Sequence, residues 1–208
     1  MFYYVSVFLL ENISAWMRYE DYDQGGFYDI FSTHQKDPLR FQHFIIDTHF
    51  YEMHSRGRQN FGNRVVVTER SLYSNVFVFV EKLYNDGRIS RLDYLLLKEK
   101  SLKYFHLLLE EHSYVPFFVL LNDSPSVAYR RIKQRGRRGE ERITVPYLED
   151  LQSRYLDLYG KGREGAKMPF PNVKIELGDH RDGPLGEIDT KGVIAEINAS
   201  LCTHFLKE

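Results

Sequence analysis

Short apolar runs that each end in a polar or charged group constrain the fold of this chain more than any other feature. Three of them have the length of buried strands, RVVVTERS (64–71), VPFFVLLNDS (115–124) and NVKIELGD (172–179), and residues 2–10 form a fourth before Glu11. Long helical patterns separate the runs, as in a parallel sheet that is covered on both faces. The sequence therefore predicts an α/β fold, a three-layer parallel sheet with helices on both faces.

Length and composition favour one domain. The chain has 208 residues, of which 43% are hydrophobic and 27% charged, a balance typical of a packed core and unlike that of disordered chains. Its single cysteine, Cys202, excludes an intrachain disulfide and is typical of a reducing compartment. We predict a single globular domain over residues 1–208.

Polar side chains collect where the predicted strands end. Glu11, Glu69, Arg70 and Asp123 each follow an apolar run. The carboxyl ends of parallel strands meet at one edge of a sheet, and ligands bind beyond that edge. The sequence therefore predicts a binding site there.

Local signals predict where the helices start and which faces they bury. Ser90 and Asp93 form a possible capping box, NDG (85–87) predicts a turn, and Asp123 or Ser124 can cap a helix that has Pro125 in its first turn. Apolar residues at helical spacing predict two buried stripes. Their members are Leu92, Leu95, Leu96, Leu102, Phe105 and Leu109 in one helix and Leu148, Leu151, Tyr155 and Leu158 in the other.

The segment YRRIKQRGRRGEER (129–142) holds seven basic residues among fourteen, although the net charge of the chain is only -1. Arg131 and Arg135 lie one turn apart on a predicted helix that breaks at Gly136. Glu140 and Glu141 interrupt the charge, which is unusual for a nucleic-acid-binding stripe. From charge alone, a phosphate-rich ligand and a solvated helix end remain equally open.

Four motifs occur in an order that resembles the deoxyribonucleoside kinases of the P-loop kinase superfamily. They are Glu11 and Trp16 in LLENISAW, the Asp37-Pro38 dipeptide, ERSLYSN (69–75), and SPSVAYRRIKQRGRRGEERITVPYLEDL (124–151). The resemblance covers most of residues 7–158. It implies ATP-dependent phosphorylation of the 5′-hydroxyl of a deoxynucleoside, in nucleotide salvage, with ATP and Mg²⁺ as cofactors.

The resemblance also implies roles for particular residues. Glu11 would be the catalytic base and Arg70 would bind the 5′-hydroxyl side and the developing phosphate charge, while Glu69 would help to organise magnesium. Trp16 would wall the nucleoside pocket. Glu140 would reach the sugar 3′-hydroxyl, with Glu141 as the substitute if the loop register shifts by one.

The base-reading residue depends on the register of one helix. A direct count from Asp37 places Ile46 at that position, which cannot contact a base through an amide, whereas a shift of one turn makes Gln42 the reader. We favour Gln42. Asn75 occupies a position that helps to choose between purine and pyrimidine in the family.

The same resemblance explains the basic segment as a lid over the phosphates of ATP, about residues 129–145. Arg131, Arg135 and Arg137 match the lid arginines, and Gly136 and Gly139 would supply hinge freedom. The loop LGDHRDG (177–183) falls where the family contacts adenine.

The phosphate-binding string G-x-x-x-x-G-K-[ST] of the superfamily occurs nowhere in the sequence. GKGREGAK (160–167) comes nearest, but Ala166 stands where the lysine is required. Because Met1 opens on what resembles the second strand, we expect that the first strand and the P-loop are missing from this chain. It is then either an incomplete version of an active kinase, which the presence of Glu11 and Arg70 favours, or a shortened, inactive relative.

Two rival functions follow from these features. A catalytically inactive nucleoside-binding pseudokinase, or a regulatory partner of an intact kinase, would bind deoxynucleosides without ATP. A nucleic-acid-binding protein would use the basic segment, and its affinity would fall with salt. The kinase interpretation implies a deoxynucleoside substrate and no nucleic acid or membrane partner. It also implies a homodimer built on residues 89–111 and a cytoplasmic or mitochondrial location.

Overall fold

The computed structural model describes residues 6–9, 38–57, 65–113, 115–136, 140–159, 168–182 and 187–205. The chain divides into two compact units. Unit 1 comprises Met1–Tyr114 and Arg138–Arg142, and unit 2 comprises Val115–Arg137 and Ile143–Glu208. Each unit contains a pair of parallel strands and several helices, so the predicted α/β class is confirmed.

Unit 1 begins with two parallel strands. Strand β1 (Ser6–Leu9) pairs with β2 (Val65–Thr68) in the register Ser6 to Val65 through Leu9 to Thr68. The helical elements of unit 1 are α1 (Pro38–Gly57), α2 (Leu72–Ser74), a π-helix (Asn75–Val80), α3 (Glu81–Asn85), α4 (Arg91–His112) and a 3-10 turn (Glu140–Arg142). The NDG turn has Gly87 at a φ of 68°, and Ser90 and Asp93 form the expected capping box of α4.

Helices α1 and α4 run side by side in the same direction. Later residues of α1 contact later residues of α4, as the pairs Asp47 with Lys100, Phe50 with Tyr104, and His54 with Glu111 show. The Lys100 Nζ donates to Asp47 Oδ2 at 2.7 Å, and the rings of Phe50 and Tyr104 stack with centroids 4.1 Å apart. The two helices therefore carry their carboxyl ends to the same end of the pair.

The buried face of α4 differs from the predicted leucine stripe. Leu92, Leu95 and Leu96 are exposed, and the buried residues are Leu97, Ser101, Phe105 and Leu108. Ser101 belongs to this face because its Oγ donates a hydrogen bond to the Leu72 carbonyl oxygen at 2.9 Å. The prediction was therefore wrong for the first two turns, since a leucine-rich helix offers apolar spacing on more than one face.

Unit 2 is built on a second parallel pair. Strand β3 (Phe118–Asn122) pairs with β4 (Asn172–Glu176), Phe118 opposite Asn172 and Asn122 opposite Glu176. Short antiparallel strands β5 (Arg181–Asp182) and β6 (Glu187–Ile188) follow a 3-10 turn (Leu177–His180). The helices are α5 (Pro125–Arg135), α6 (Val145–Tyr159) and α7 (Thr190–Phe205).

The core of unit 2 contains Ile175, Leu177 and Val193, with Val119, Val173 and Ile197 packed around them. Of the predicted α6 stripe, only Leu158 is buried, whereas Leu148, Leu151 and Tyr155 are half-buried. Within the described residues, no helix is both long and apolar enough to cross a bilayer.

Candidate active site

The carboxyl ends of β1 and β2 define one edge of unit 1. Glu69 and Arg70 follow β2 directly, as predicted. Glu69 is exposed, and Arg70 is half-buried with its guanidinium carbon 4.5 Å from the centroid of the Phe79 ring. Because β1 is parallel to β2, the end of β1 at Leu9 lies at the same edge. The predicted base Glu11 and the predicted pocket residue Trp16 lie outside the described residues.

A histidine that the sequence did not single out interacts electrostatically with Arg70. His49 lies on α1, and its burial, together with the positive charge of Arg70, lowers its pKa to about 4. At neutral pH the imidazole is therefore uncharged and can donate or accept a hydrogen bond. One signal was present in the sequence, since His49 follows Gln42 by seven residues and so shares its helical face.

Gln42 and Asn75 form a buried amide pair. Asn75 Nδ2 donates to Gln42 Oε1 at 3.5 Å, and both side chains are buried. A neutral hydrogen bond of this length is weak. A ligand that offers better geometry can therefore replace it. Ile46, the alternative reader, is completely buried.

The backbone that presents Asn75 is held from the preceding turn. Ser71 caps α2 through a reciprocal capping box with Ser74, and the π-helix starts at Asn75. Short π-helical segments are frequent at functional sites, because the wider turn redirects side chains that a regular helix would place elsewhere. The backbone at Asn75 is therefore held in a defined position.

The two acidic candidates in the 3-10 turn differ in burial. Glu140 is buried and Glu141 is exposed. A carboxylate is costly to bury without hydrogen-bond or ionic partners, so a buried position indicates a structural or ligand-binding role. The burial favours Glu140 over Glu141 as the candidate for the sugar hydroxyl.

Residues 129–135 of the basic segment form the end of α5 in unit 2. Arg131 contacts Asp123 with NH1 3.0 Å from Oδ2, and Arg135 is exposed in the last turn. Gly136 caps the helix at a φ of 61°, and its N–H donates to the Ile132 carbonyl at 3.1 Å. The predicted break is therefore a left-handed helix cap, which glycine adopts without strain. Arg137 and Gly139 lie outside the described residues.

A cleft of about 530 Å³ lies beyond the carboxyl ends of β3 and β4. Its lining is Asn122, Asp123, Ser124, Val127, Arg130, Gln152, Glu176 and Gly178. The position is the one that parallel α/β sheets use for ligands, and the volume is in the range of small-molecule sites. Gly178 belongs to the segment LGDHRDG (177–183), which by the resemblance falls where the family contacts adenine.

Hydrogen bonds fix the polar wall of this cleft. Asn122 Nδ2 donates to Glu176 Oε2 at 2.6 Å, and Gln152 Nε2 donates to Asn122 Oδ1 at 3.0 Å and to the Asp123 carbonyl at 2.9 Å. Hydrogen bonds from Lys174 and Asn122 hold the pKa of Glu176 below its usual value. Ser124 caps α5 by accepting from the Val127 N–H, which decides between the two predicted caps.

Comparison with known proteins identifies the family. A model of the deoxynucleoside kinase family matches residues 6–202. The chain belongs to the deoxynucleoside kinase family. This family has the P-loop kinase fold, in agreement with the strand and helix alternation.

Relatives of three named kinds are 27% to 32% identical to this deoxynucleoside kinase family member over the segments that align. Mitochondrial thymidine kinase 2 of Homo sapiens is 32% identical over 119 residues, which are 57% of this chain and 43% of the relative. Deoxycytidine kinase 2 of Gallus gallus is 29% identical over 142 residues, which cover 64% of this chain and 51% of the relative. Deoxyguanosine kinase of Bacillus subtilis strain 168 is 27% identical over 132 residues, which cover 64% of this chain and 58% of the relative. The chain spans about half the length of the curated relatives that it matches.

The sequence patterns did not single out four polar residues that lie at these two sites. His49, Asn122, Gln152 and Glu176 carry no motif, and they come together through helix packing and strand pairing. Only His49 had a sequence signal, its helical spacing from Gln42. The others are ordinary polar residues whose role depends on neighbours that are 30 to 54 positions away in the chain.

Proposed function

We propose that this chain is a deoxynucleoside kinase, which transfers the terminal phosphoryl group of ATP to the 5′-hydroxyl of a deoxynucleoside. Membership of the family supports the reaction class. The observation that carries the proposal is the buried Gln42–Asn75 pair, because two amides in a core are suited to reading the hydrogen-bonding edge of a nucleobase. The three relatives named above differ in the base that their names specify, so the proposal leaves the preferred base open.

Helix α1 joins the two halves of the proposed nucleoside site. One face of α1 carries Gln42, which meets Asn75, and His49, which interacts with Arg70. We assign the amides to the base and Arg70 to the 5′-hydroxyl and the developing phosphate charge. Glu140 is proposed to bind the 3′-hydroxyl. Glu11 as base and Trp16 as pocket wall rest on the resemblance alone.

The reaction needs positioning and charge neutralisation more than covalent chemistry. A carboxylate base accepts the proton of the 5′-hydroxyl as its oxygen attacks the γ-phosphorus of ATP, while the bond from that phosphorus to the bridging oxygen breaks and ADP leaves. The lid excludes water during transfer. Arg131, Arg135 and Arg137 are proposed to meet the phosphates, because forked guanidinium donors match phosphate oxygens. Mg²⁺ bound with ATP would neutralise phosphate charge, and the exposed carboxylate of Glu69 has the hard oxygen ligands that this ion prefers.

The exposed leucine face of α4 supports a homodimer. Leu92, Leu95 and Leu96 are 65%, 47% and 50% exposed in the single chain. Apolar residues grouped on one helix face are typical of protein interfaces, and this face belongs to residues 89–111, where the sequence placed the dimer. We propose that a second copy of the chain covers it.

Phosphoryl transfer by the purified 208-residue chain tests the function. The chain would be incubated with labelled ATP, Mg²⁺ and each of the four common deoxynucleosides, and deoxynucleoside binding would be measured by calorimetry in parallel. We expect a labelled 5′-monophosphate from at least one of them. Binding without transfer would favour the inactive pseudokinase, and neither binding nor transfer would contradict the proposal.

Two asparagines provide a matched pair for the base-reading role. Asn75→Ala removes the buried amide, and Asn85→Ala removes an exposed amide at the end of α3. We expect Asn75→Ala and Gln42→Leu to lower kcat/KM by about 10- to 100-fold, since one or two lost hydrogen bonds cost about 1–3 kcal/mol. Asn85→Ala should leave kcat/KM unchanged, and an equal loss in that variant would show that the amide pair does not read the base.

A further inference from the structure

Three potential metal ligands meet where α1 and α4 end. They are His54 in the last turn of α1 and Glu111 and His112, the last two residues of α4. One ligand atom from each residue lies within 4.8 Å of the other two. The cluster takes no part in the proposed kinase reaction.

The contact between His54 and Glu111 is short but is not an ordinary hydrogen bond. His54 Nδ1 lies 2.9 Å from Glu111 Oε2. His54 Nδ1 is nevertheless shielded from solvent and makes no hydrogen bond of acceptable angle within the part of the chain that the structure describes. The Nε2 atom of His112 is shielded as well. Two imidazole nitrogens and a carboxylate oxygen thus converge with water largely excluded from the nitrogens.

Neighbouring rings hold the His54 imidazole in place. Its ring stacks on Phe50 with centroids 5.5 Å apart and an interplanar angle of 17°, and Phe50 stacks in turn on Tyr104 of α4. The rings of His54 and His112 are 5.6 Å apart and tilted by 54°. A ligand that packing has already oriented loses less entropy when it binds a metal.

The helix ends add a favourable field for a cation. Because α1 and α4 run in the same direction, both carboxyl ends, and their negative partial charges, lie near the cluster. A divalent cation that binds Glu111 keeps a net positive charge, which these helix ends stabilise. Lone imidazole pairs on a protein surface lack this arrangement.

We propose that His54, Glu111 and His112 form a zinc site that links α1 to α4. Two imidazole nitrogens and one carboxylate oxygen are a ligand set that Zn²⁺ uses, with water in the fourth position of the tetrahedron. Tetrahedral bonds of about 2.1 Å place ligand atoms about 3.4 Å apart. The present spacing of up to 4.8 Å therefore closes by rotation of the side chains, chiefly of Glu111, which is 46% exposed. The proposal is independent of the kinase function.

Zinc affinity of matched histidine variants tests the site. His54→Phe keeps the ring that stacks on Phe50 and removes the nitrogen ligand, and His112→Gln removes the second imidazole. His106→Gln is the control, since His106 is an exposed histidine on the same helix and outside the cluster. Zn²⁺ affinity of the full chain would be measured by competition with a chromophoric chelator, and unfolding in the presence of EDTA would show whether each variant is folded.

We expect the wild-type chain to bind one Zn²⁺ ion. His54→Phe and His112→Gln should each lower the Zn²⁺ affinity by at least about 100-fold, because replacing even a residue that only supports a metal ligand lowers metal affinity by about 10- to 100-fold. Bound Co²⁺ should show the intense visible absorption of a tetrahedral site in the wild-type chain and in His106→Gln. His54→Phe and His112→Gln should not show it. Zn²⁺ should also raise the Tm of these two proteins. Equal Zn²⁺ affinity in the wild-type chain and a folded double variant, or an equal loss in His106→Gln, would overturn the proposal. So would a Co²⁺ spectrum that the two substitutions leave unchanged.

Discussion

The polar groups of unit 1 and of unit 2 are held in different ways. In unit 1, Gln42 and Asn75 are buried in a helical core, and His49 is half-buried on the same face of α1. In unit 2, Asp123 lines the cleft beyond β3 and β4 and contacts Arg131, whose side chain is 41% exposed. A polar group in a core affects stability whenever it changes, whereas a solvated ion pair can change at little cost. The amide pair that we propose to read the base therefore belongs to the packed core of unit 1.

The largest effect should come from the buried face of α4. Leu97→Ala replaces a side chain that is completely buried, whereas Leu92→Ala changes one that is 65% exposed. We expect Leu97→Ala to lower the free energy of unfolding by about 2–5 kcal/mol through the lost burial and the cavity. Urea unfolding of both variants would measure it.

Leu92→Ala serves as the matched control on the same helix. Its free energy of unfolding should stay within about 0.5 kcal/mol of the wild-type value, in line with exposed substitutions elsewhere. Under the dimer proposal it should instead weaken self-association, which sedimentation would detect. Equal destabilisation by the two variants would mean that burial does not distinguish the two faces.

An intermediate effect should appear at acid pH in unit 1. The folded chain holds His49 neutral with a pKa of about 4, while the unfolded chain takes up the proton near the ordinary histidine pKa of 6.5. The unfolded state therefore binds more protons between these values, and stability falls as the pH falls through that window. The loss should reach about 3 kcal/mol at most.

His49→Gln isolates this contribution from that of other titrating groups. Urea unfolding at pH 7 and at pH 4.5 would be compared for the wild-type chain and the variant. The wild-type chain should lose more stability than the variant over this interval. Parallel losses in the two proteins would show that His49 is not protected from protons in the folded state.

The smallest effect should come from the ion pair of unit 2. Asp123→Asn removes the charge that faces Arg131, whose side chain is 41% exposed. Solvent screens such a pair, so the free energy of unfolding should change by less than about 1 kcal/mol. Thermal or urea unfolding would measure the change. If Asp123→Asn lowers the free energy of unfolding by about 2 kcal/mol or more, the polar groups of unit 2 contribute to stability as the buried groups of unit 1 do.

Particular residues show how far sequence patterns reach. The capping box at Ser90, the cap at Ser124 and the break at Gly136 were predictable, because each depends on residues within one helical turn. The buried face of α4 was not, because Leu92 and Leu97 satisfy the same apolar spacing and only the partner helices choose between them. Ser101 illustrates the difficulty, since its burial depends on a carbonyl group 29 residues earlier.

The sequence by itself determined the α/β class, the alternation of strands with helices, and the family, since these follow from local periodicity and from motifs that are continuous in the chain. The tertiary structure alone decided which polar side chains meet, Gln42 with Asn75 and His54 with Glu111 and His112, and that the charge of Arg70 acts on His49. The physical reason is that burial and pairing depend on how helices pack across long sequence separations. Local pattern fixes which side chains share a face, and packing fixes what that face meets.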